Sequence, residues 1–192
     1  MKSEKRIAVF ASGSGTNAEN IIKYFQEVEG VEVVLLLSNK PDAYALTRAE
    51  KLGVPTMVFN RKDFYESAKV LDTLAIAQVD MVVLAGFLWM VPEGLLNAYP
   101  DAVVNIHPSL LPKYGGKGMY GSRVHEAVIK AGEAESGITV HYVNERYDEG
   151  HVIFQVTCEV TPEDDADSLA GKVHDLEYEY FPKVIESVLT GE

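Results

Sequence analysis

Cysteine is almost missing from these 192 residues, with Cys158 the single example, and this excludes an intramolecular disulfide framework and a zinc site built on thiolates. Cys158 itself reads as a small apolar residue on a strand, and the chain as one suited to a reducing compartment. Basic residues are scarce too, 17 Lys and Arg against 29 Asp and Glu, for a formal net charge of −12. Such a surface opposes a phosphate backbone, so no nucleic acid is expected as a partner; small molecules or other subunits are. No apolar run reaches the ~18 residues that a membrane helix needs. The N-terminal string Met1-Lys2-Ser3-Glu4-Lys5-Arg6 is basic, but the apolar stretch at 7–11 is too short for a signal peptide and ends in a glycine-rich turn. The expectation is a soluble, cytoplasmic protein with no membrane partner. Repeats, low-complexity tracts and linkers are also absent, which predicts one domain over 1–192.

What is present is an alternation of short apolar runs with amphipathic segments. Strands are predicted at 6–11, 31–38, 56–59, 81–85 and 102–106, with helices at 17–28, 43–53, 62–78 and 92–98 between them. Continuous apolar runs such as Val33-Val34-Leu35-Leu36-Leu37 indicate strands buried on both faces, the mark of a parallel sheet built from βαβ units. The predicted class is therefore α/β: a Rossmann-like, open twisted sheet, mostly parallel in a nucleotide-fold half over about 1–105. In the second half, about 106–192, a helix at 122–132 precedes two alternating segments, 136–143 and 151–160, which read as antiparallel strands. Asp164, Asp165 or Asp167 caps a last helix to about Leu189, kinked or split at Pro182.

Two connections carry chemistry. The turn Ser12-Gly13-Ser14-Gly15-Thr16-Asn17-Ala18 joins the first strand to the first helix, so its amides and the helix N-terminus form an anion site that suits phosphate. Taken alone, it reads equally well as a tight connection needing glycine only for its backbone angles. A dinucleotide site would add an acid ~20 residues later; the second strand ends instead in Ser38-Asn39-Lys40, so a single phosphate monoester fits better. The other connection is Asn105-Ile106-His107-Pro108-Ser109-Leu110-Leu111-Pro112, directly after an apolar strand. Asn-x-His aims both side chains into the crevice beyond the strand, where Asn can stabilise an oxyanion and His can move a proton.

These two motifs, together with Leu84-Ala85-Gly86-Phe87 and Tyr147-Asp148-Glu149-Gly150, closely resemble the folate-dependent formyltransferases, and among them the glycinamide ribonucleotide formyltransferases of purine synthesis. The resemblance covers nearly the whole chain. It implies a formyltransferase fold, 10-formyltetrahydrofolate as cosubstrate, glycinamide ribonucleotide as acceptor, direct transfer through a tetrahedral intermediate, no metal, and a monomer or homodimer. It further implies that Asn105 donates to the formyl oxygen, that His107 stabilises the oxyanion and transfers a proton, and that Asp148 favours the charged imidazole and orders a relaying water. Asp148 by itself reads as a turn residue. The same resemblance puts the ribonucleotide on Gly15, Thr16, Asn17, Gly86, His174 and Glu177. It puts the folate between Leu88, Trp89, Met90, Val91 and the loop Asn144, Glu145, Arg146, Tyr147, Asp148, touching Asn105, with Lys62 or Arg61 at its glutamate tail. Trp89 fits folate stacking and a rim position equally. The peptide bond before Pro112 is cis in the resembling proteins.

The chain departs from the common pattern in several places. Its loop at 115–121 is longer, Glu149 replaces a glycine, Trp89 stands where arginine is frequent, and His174 where glutamine is. His125 and His141 read as residues that order loops or neighbours. The alternatives are a sugar-nucleotide formyltransferase, a formyltetrahydrofolate hydrolase, or a nucleotide-binding module without turnover. The tRNA-directed formyltransferase carries an extra basic C-terminal domain and the hydrolase an N-terminal regulatory domain, neither of which is expected here.

Overall fold

A computed structural model describes residues 4–191; Met1-Lys2-Ser3 of the basic N-terminal string and Glu192, the end of the predicted domain, lie outside them. Strands β1 (Lys5–Phe10), β2 (Val31–Ser38), β3 (Thr56–Val58), β4 (Met81–Leu84) and β5 (Val103–His107) alternate with helices α1 (Thr16–Gln26), α2 (Tyr44–Lys51), α3 (Arg61–Tyr65), α4 (Lys69–Ile76) and α5 (Glu93–Ala98). Then follow α6 (Ser122–Ala131), β6 (Glu135–Tyr142), β7 (Val152–Glu159) and α7 (Ala166–Thr190). One sheet holds all seven strands in the order β3-β2-β1-β4-β5-β6-β7. The first five are mutually parallel, whereas β6 runs antiparallel to β5 and β7 antiparallel to β6.

The period of two along β1 shows why this sheet must be covered twice. Ile7 and Val9 join one core with Ile21, Ile22 and Phe25 of α1 and Val173 and Phe181 of α7. Ala8 and Phe10 point the other way, into a second core with Phe59, Phe64 and Leu74. Fully burying a side chain of this size contributes roughly 1.5–3 kcal/mol, so both helical layers are needed to hold the sheet. From β1 the chain winds outward to β2 and β3, then returns to the other side of β1 for β4 and β5. The carboxyl ends of β1 and β4 thus flank a topological switch point, the crevice where open α/β sheets bind ligands.

Two predicted helices are corrected. The helix over 62–78 is broken into α3 and α4. Asn60 and Asp63 form a capping box that starts α3, and in the break before α4 the hydroxyl of Ser67 accepts from the Lys69 amide at 3.3 Å. Conversely, α7 is not split at Pro182. Proline has no N–H for the carbonyl four residues back, that of Tyr178, and Asn20 Nδ2 of α1 donates to this carbonyl at 2.9 Å instead. Of the three candidate caps, Asp165 is the one used, in a capping box with Ser168. The Leu111–Pro112 bond is cis, as the resemblance implied.

Candidate active site

Because side chains alternate along a strand, Asn105 and His107 leave β5 on the same side, at its carboxyl end. His107 is only 4% exposed. Its Nε2 lies 2.7 Å from the Tyr114 carbonyl oxygen, which can only accept, so this nitrogen carries a proton. Its Nδ1 faces Asp148 Oδ2 at 3.5 Å. Each ring nitrogen thus faces an acceptor. Asp148 has a left-handed φ of 57° and accepts the Gly116 amide at 2.9 Å. The root of the glycine-rich loop therefore holds both members of the pair, His107 by the carbonyl of residue 114 and Asp148 by the amide of 116. Tyr114, itself at φ 56°, is fixed by its hydroxyl, which donates to Glu133 at 2.8 Å.

Asn105 is oriented from β6. Antiparallel register places His141 opposite it, and its Nδ2 lies 3.1 Å from His141 Nε2. His141 Nδ1 sits 2.8 Å from the Tyr142 carbonyl, so it is the protonated nitrogen and Nε2 offers a lone pair to the amide. Burial pushes the His141 pKa down, against the pull of the Tyr142 carbonyl and Asp148, and this keeps it an acceptor. One Asn105 N–H is thus committed, and the other has no partner among the described residues. His125 is also buried, and its Nδ1 has no partner among the described residues. Burial, then the neighbouring His174 and His107, lower its pKa.

The glycine turn lies across the crevice. Gly15 takes φ 74°, and a Cβ there would fall 2.4 Å from Ala45, so only glycine fits before α1. Ser12 ties the turn to its surroundings: its hydroxyl donates to Asn39 Oδ1 at 2.7 Å and accepts the Leu88 amide at 3.0 Å. Asn17 donates to Glu177 at 2.8 Å, while Asn17 Oδ1 is buried without a partner among the described residues. Glu177, 6% exposed, has its pKa raised by burial, with the Asn17 bond and then His174 opposing.

A cavity of about 630 Å³ brings together the turn residues Gly15, Thr16 and Asn17 with Gly86, Leu88, Asn105, His107, Asp148, His174 and Glu177. A second one, about 60 Å³, is lined by Trp89, Met90, Val91, Asn144, Arg146 and Tyr147, and again by Asn105 and Asp148. Lys62 and Glu145 line neither; both are exposed, Lys62 on α3. Trp89 is anchored among Phe59, Phe64, Tyr65 and Phe87, with the Arg61 guanidinium 4.9 Å from its ring centre. Lys40, Lys117 and Arg123 also reach the larger cavity. Sequence pattern does not single them out, because isolated surface cations carry no periodic or motif signal.

Sheet topology and site together define a class: an α/β protein with a glycine-rich turn on one side of its switch point and an imidazole–carboxylate pair on the other, an arrangement suited to proton-coupled group transfer. Comparison with known proteins gives the family. Residues 5–185 match the model of the formyl transferase family. The chain is 36% identical to phosphoribosylglycinamide formyltransferase of Haemophilus influenzae, over 97% of this chain and 88% of that protein. It is 38% identical to trifunctional purine biosynthetic protein adenosine-3 of Drosophila melanogaster, over 97% of this chain, and it spans only 14% of that relative's length. The crystal structure of phosphoribosylglycinamide formyltransferase from Anaplasma phagocytophilum superposes with a TM-score of 0.88 at 34% identity, covering 98% of this chain and 89% of that one. The chain belongs to the formyl transferase family.

Proposed function

We propose that this chain transfers the formyl group of 10-formyltetrahydrofolate to the amine of N1-(5-phospho-D-ribosyl)glycinamide, giving the N2-formyl product and tetrahydrofolate in de novo purine synthesis. One observation carries this reading: Asn105 and Asp148 line both cavities, so the catalytic groups stand where an acceptor in the larger space meets a donor in the smaller one. The acceptor suits the larger space. Its phosphate is taken by the amides of Gly15, Thr16 and Asn17, its sugar hydroxyls by His174 and Glu177, and its amine lies by Gly86.

The smaller cavity has the apolar walls Leu84, Phe87, Val91 and Val143, which suit the faces of a pteridine. Leu88, Trp89 and Met90 flank the folate on one side; Asn144, Glu145, Arg146 and Tyr147 flank it on the other, and Lys62 meets its glutamate tail. The amine lone pair attacks the formyl carbon while the carbonyl π pair moves to oxygen. The free N–H of Asn105 donates to that oxyanion, a contribution worth about 10²–10³-fold, and the His107 imidazolium, its two nitrogens turned to Tyr114 and Asp148, stabilises it by its charge. Collapse restores the carbonyl and breaks the bond to folate N10, which takes a proton as the glycinamide nitrogen releases one, with His107 and a water held by Asp148 as the relay. Neither a metal nor a covalent enzyme intermediate is needed. Small molecules are the partners in this reaction, without nucleic acid or membrane, for a cytoplasmic monomer or homodimer; no helix among the described residues is long and apolar enough to cross a membrane.

The test is deformylation of a 10-formyl folate followed by absorbance, with and without the ribonucleotide. Ribonucleotide-dependent turnover supports both substrates. Deformylation without it points to a hydrolase, and none under either condition refutes the proposal.

A further inference from the structure

We propose that Arg48, on α2 and outside both cavities, is a positioning residue that locks the peptide between Ser14 and Gly15 with its N–H toward the ribonucleotide phosphate. The inference deepens the proposed transfer and rests on it for the identity of that phosphate. In a planar trans peptide the carbonyl and the following N–H point in opposite directions, so whatever holds the carbonyl aims the amide. Three consecutive carbonyls of the turn are held by residues that line neither cavity. The Ala45 amide donates to Gly13 O at 3.1 Å and the Glu19 amide to Gly15 O at 2.9 Å. Between them, Arg48 Nε donates to Ser14 O at 2.8 Å.

The middle peptide is the vulnerable one. Both flanking carbonyls are held by backbone amides of helices, whereas Ser14 O is held by a side chain. Gly15, with φ 74° and no Cβ, permits rotation of the peptide that precedes it. A flip would turn the Gly15 N–H away from the cavity and point the Ser14 carbonyl, an acceptor, at an anion. Arg48 is itself fixed: its guanidinium is paired with Glu19 and lies 4.9 Å from the centre of the Tyr44 ring. Glu19 neutralises much of the Arg48 charge at close range, so the arginine acts on the turn by geometry more than by its field.

Arg48→Lys keeps the charge but lacks the rigid fork that reaches Ser14 O and Glu19 together; Arg48→Met keeps only the stem. Binding of inorganic phosphate is measured by calorimetry for both variants, alongside KM for each substrate and kcat. The expected result is a loss of about 10- to 100-fold in phosphate affinity in both variants, as for one misdirected charge-assisted donor. KM for the ribonucleotide rises in parallel, with kcat and the folate KM unchanged. A lysine variant that matches the wild type would overturn the proposal in favour of charge alone, as would a folate KM that worsens equally, the mark of general damage to the fold. If the methionine variant fails to fold, the lysine variant decides. Phosphate binding does not involve formyl transfer, so a wild-type protein that binds phosphate without transferring a formyl group refutes the proposed function and leaves the Arg48 result to be read on phosphate alone.

Discussion

Asn105→Ala and Asn105→Asp separate what this side chain does by charge from what it does by shape. In the proposed transfer one N–H donates to the formyl oxygen as it becomes negative, and losing such a donor lowers kcat by about 10²–10³-fold, roughly 3–4 kcal/mol. The aspartate keeps the outline of asparagine but reverses its polarity. It sets an acceptor against the lone pair of His141 Nε2, 3.1 Å away, and adds a negative charge near Asp148, whose Oδ1 lies 3.7 Å from that same nitrogen. Even at an effective dielectric of about 20, like charges several ångströms apart repel by a few kcal/mol, so the oxyanion is opposed by more than the missing donor. The expected order of kcat is wild type, then Asn105→Ala, then Asn105→Asp, with the last lower than alanine by about tenfold or more. KM for the ribonucleotide changes little, because the proposed transfer rests its phosphate and sugar on other residues. Initial rates at saturating concentrations of both substrates, with thermal unfolding as a control, give the answer. An aspartate variant more active than the alanine variant would refute the reasoning, since shape would then outweigh charge.

Three further outcomes are expected. His107→Ala lowers kcat by about 10²–10⁴-fold while the protein still unfolds cooperatively; near-normal turnover in steady-state assays would remove His107 from the mechanism. Burial raises the Glu177 pKa above its ordinary value of 4.5, so the folded protein suffers no ionisation penalty below that value and loses stability as pH rises through the raised pKa. Glu177→Gln therefore raises the melting temperature at pH 7 and loses that advantage at acid pH, while KM for the ribonucleotide increases; a gain that grows on acidification would show the sign to be wrong. Gly15→Ala combines a left-handed φ with a Cβ 2.4 Å from Ala45 and is expected to destabilise by about 2 kcal/mol or more. At Gly13 a Cβ meets nothing within 4 Å, so Gly13→Ala should change stability by less than about 0.5 kcal/mol, and equal losses in denaturant melts would contradict this.

Some of the site was legible in the chain and some was not. Asn105 and His107 are two residues apart at the end of an apolar strand, so period-two alternation is enough to aim them together. Asp148 sits in an ordinary turn sequence and is visible only through family resemblance; its position 3.5 Å from His107 depends on the Gly116 amide, which no local pattern announces. His141 reads as a loop-ordering residue until the β5–β6 register sets it against Asn105. Trp89, left between stacking and rim positions, proves to be wedged into an aromatic cluster drawn from α3 and the loops around it.

By itself, the sequence determined the features that arise from near neighbours along the chain. Continuous apolar runs made the sheet parallel and doubly covered, glycine spacing made the turn before α1, Asp165 opened the last helix, and Asn-x-His marked the carboxyl end of β5 as the candidate site. Tertiary structure alone decided whatever depends on partners far away in sequence. Pro182 leaves α7 whole because Asn20, 158 residues from the carbonyl it serves, replaces the missing donor. Asn105 is aimed by a histidine 36 residues on, and the glycine turn is held by an arginine 34 residues on. Periodicity and propensity act over a few residues, whereas hydrogen-bond partners and the burial that shifts pKa values exist only once the layers have packed.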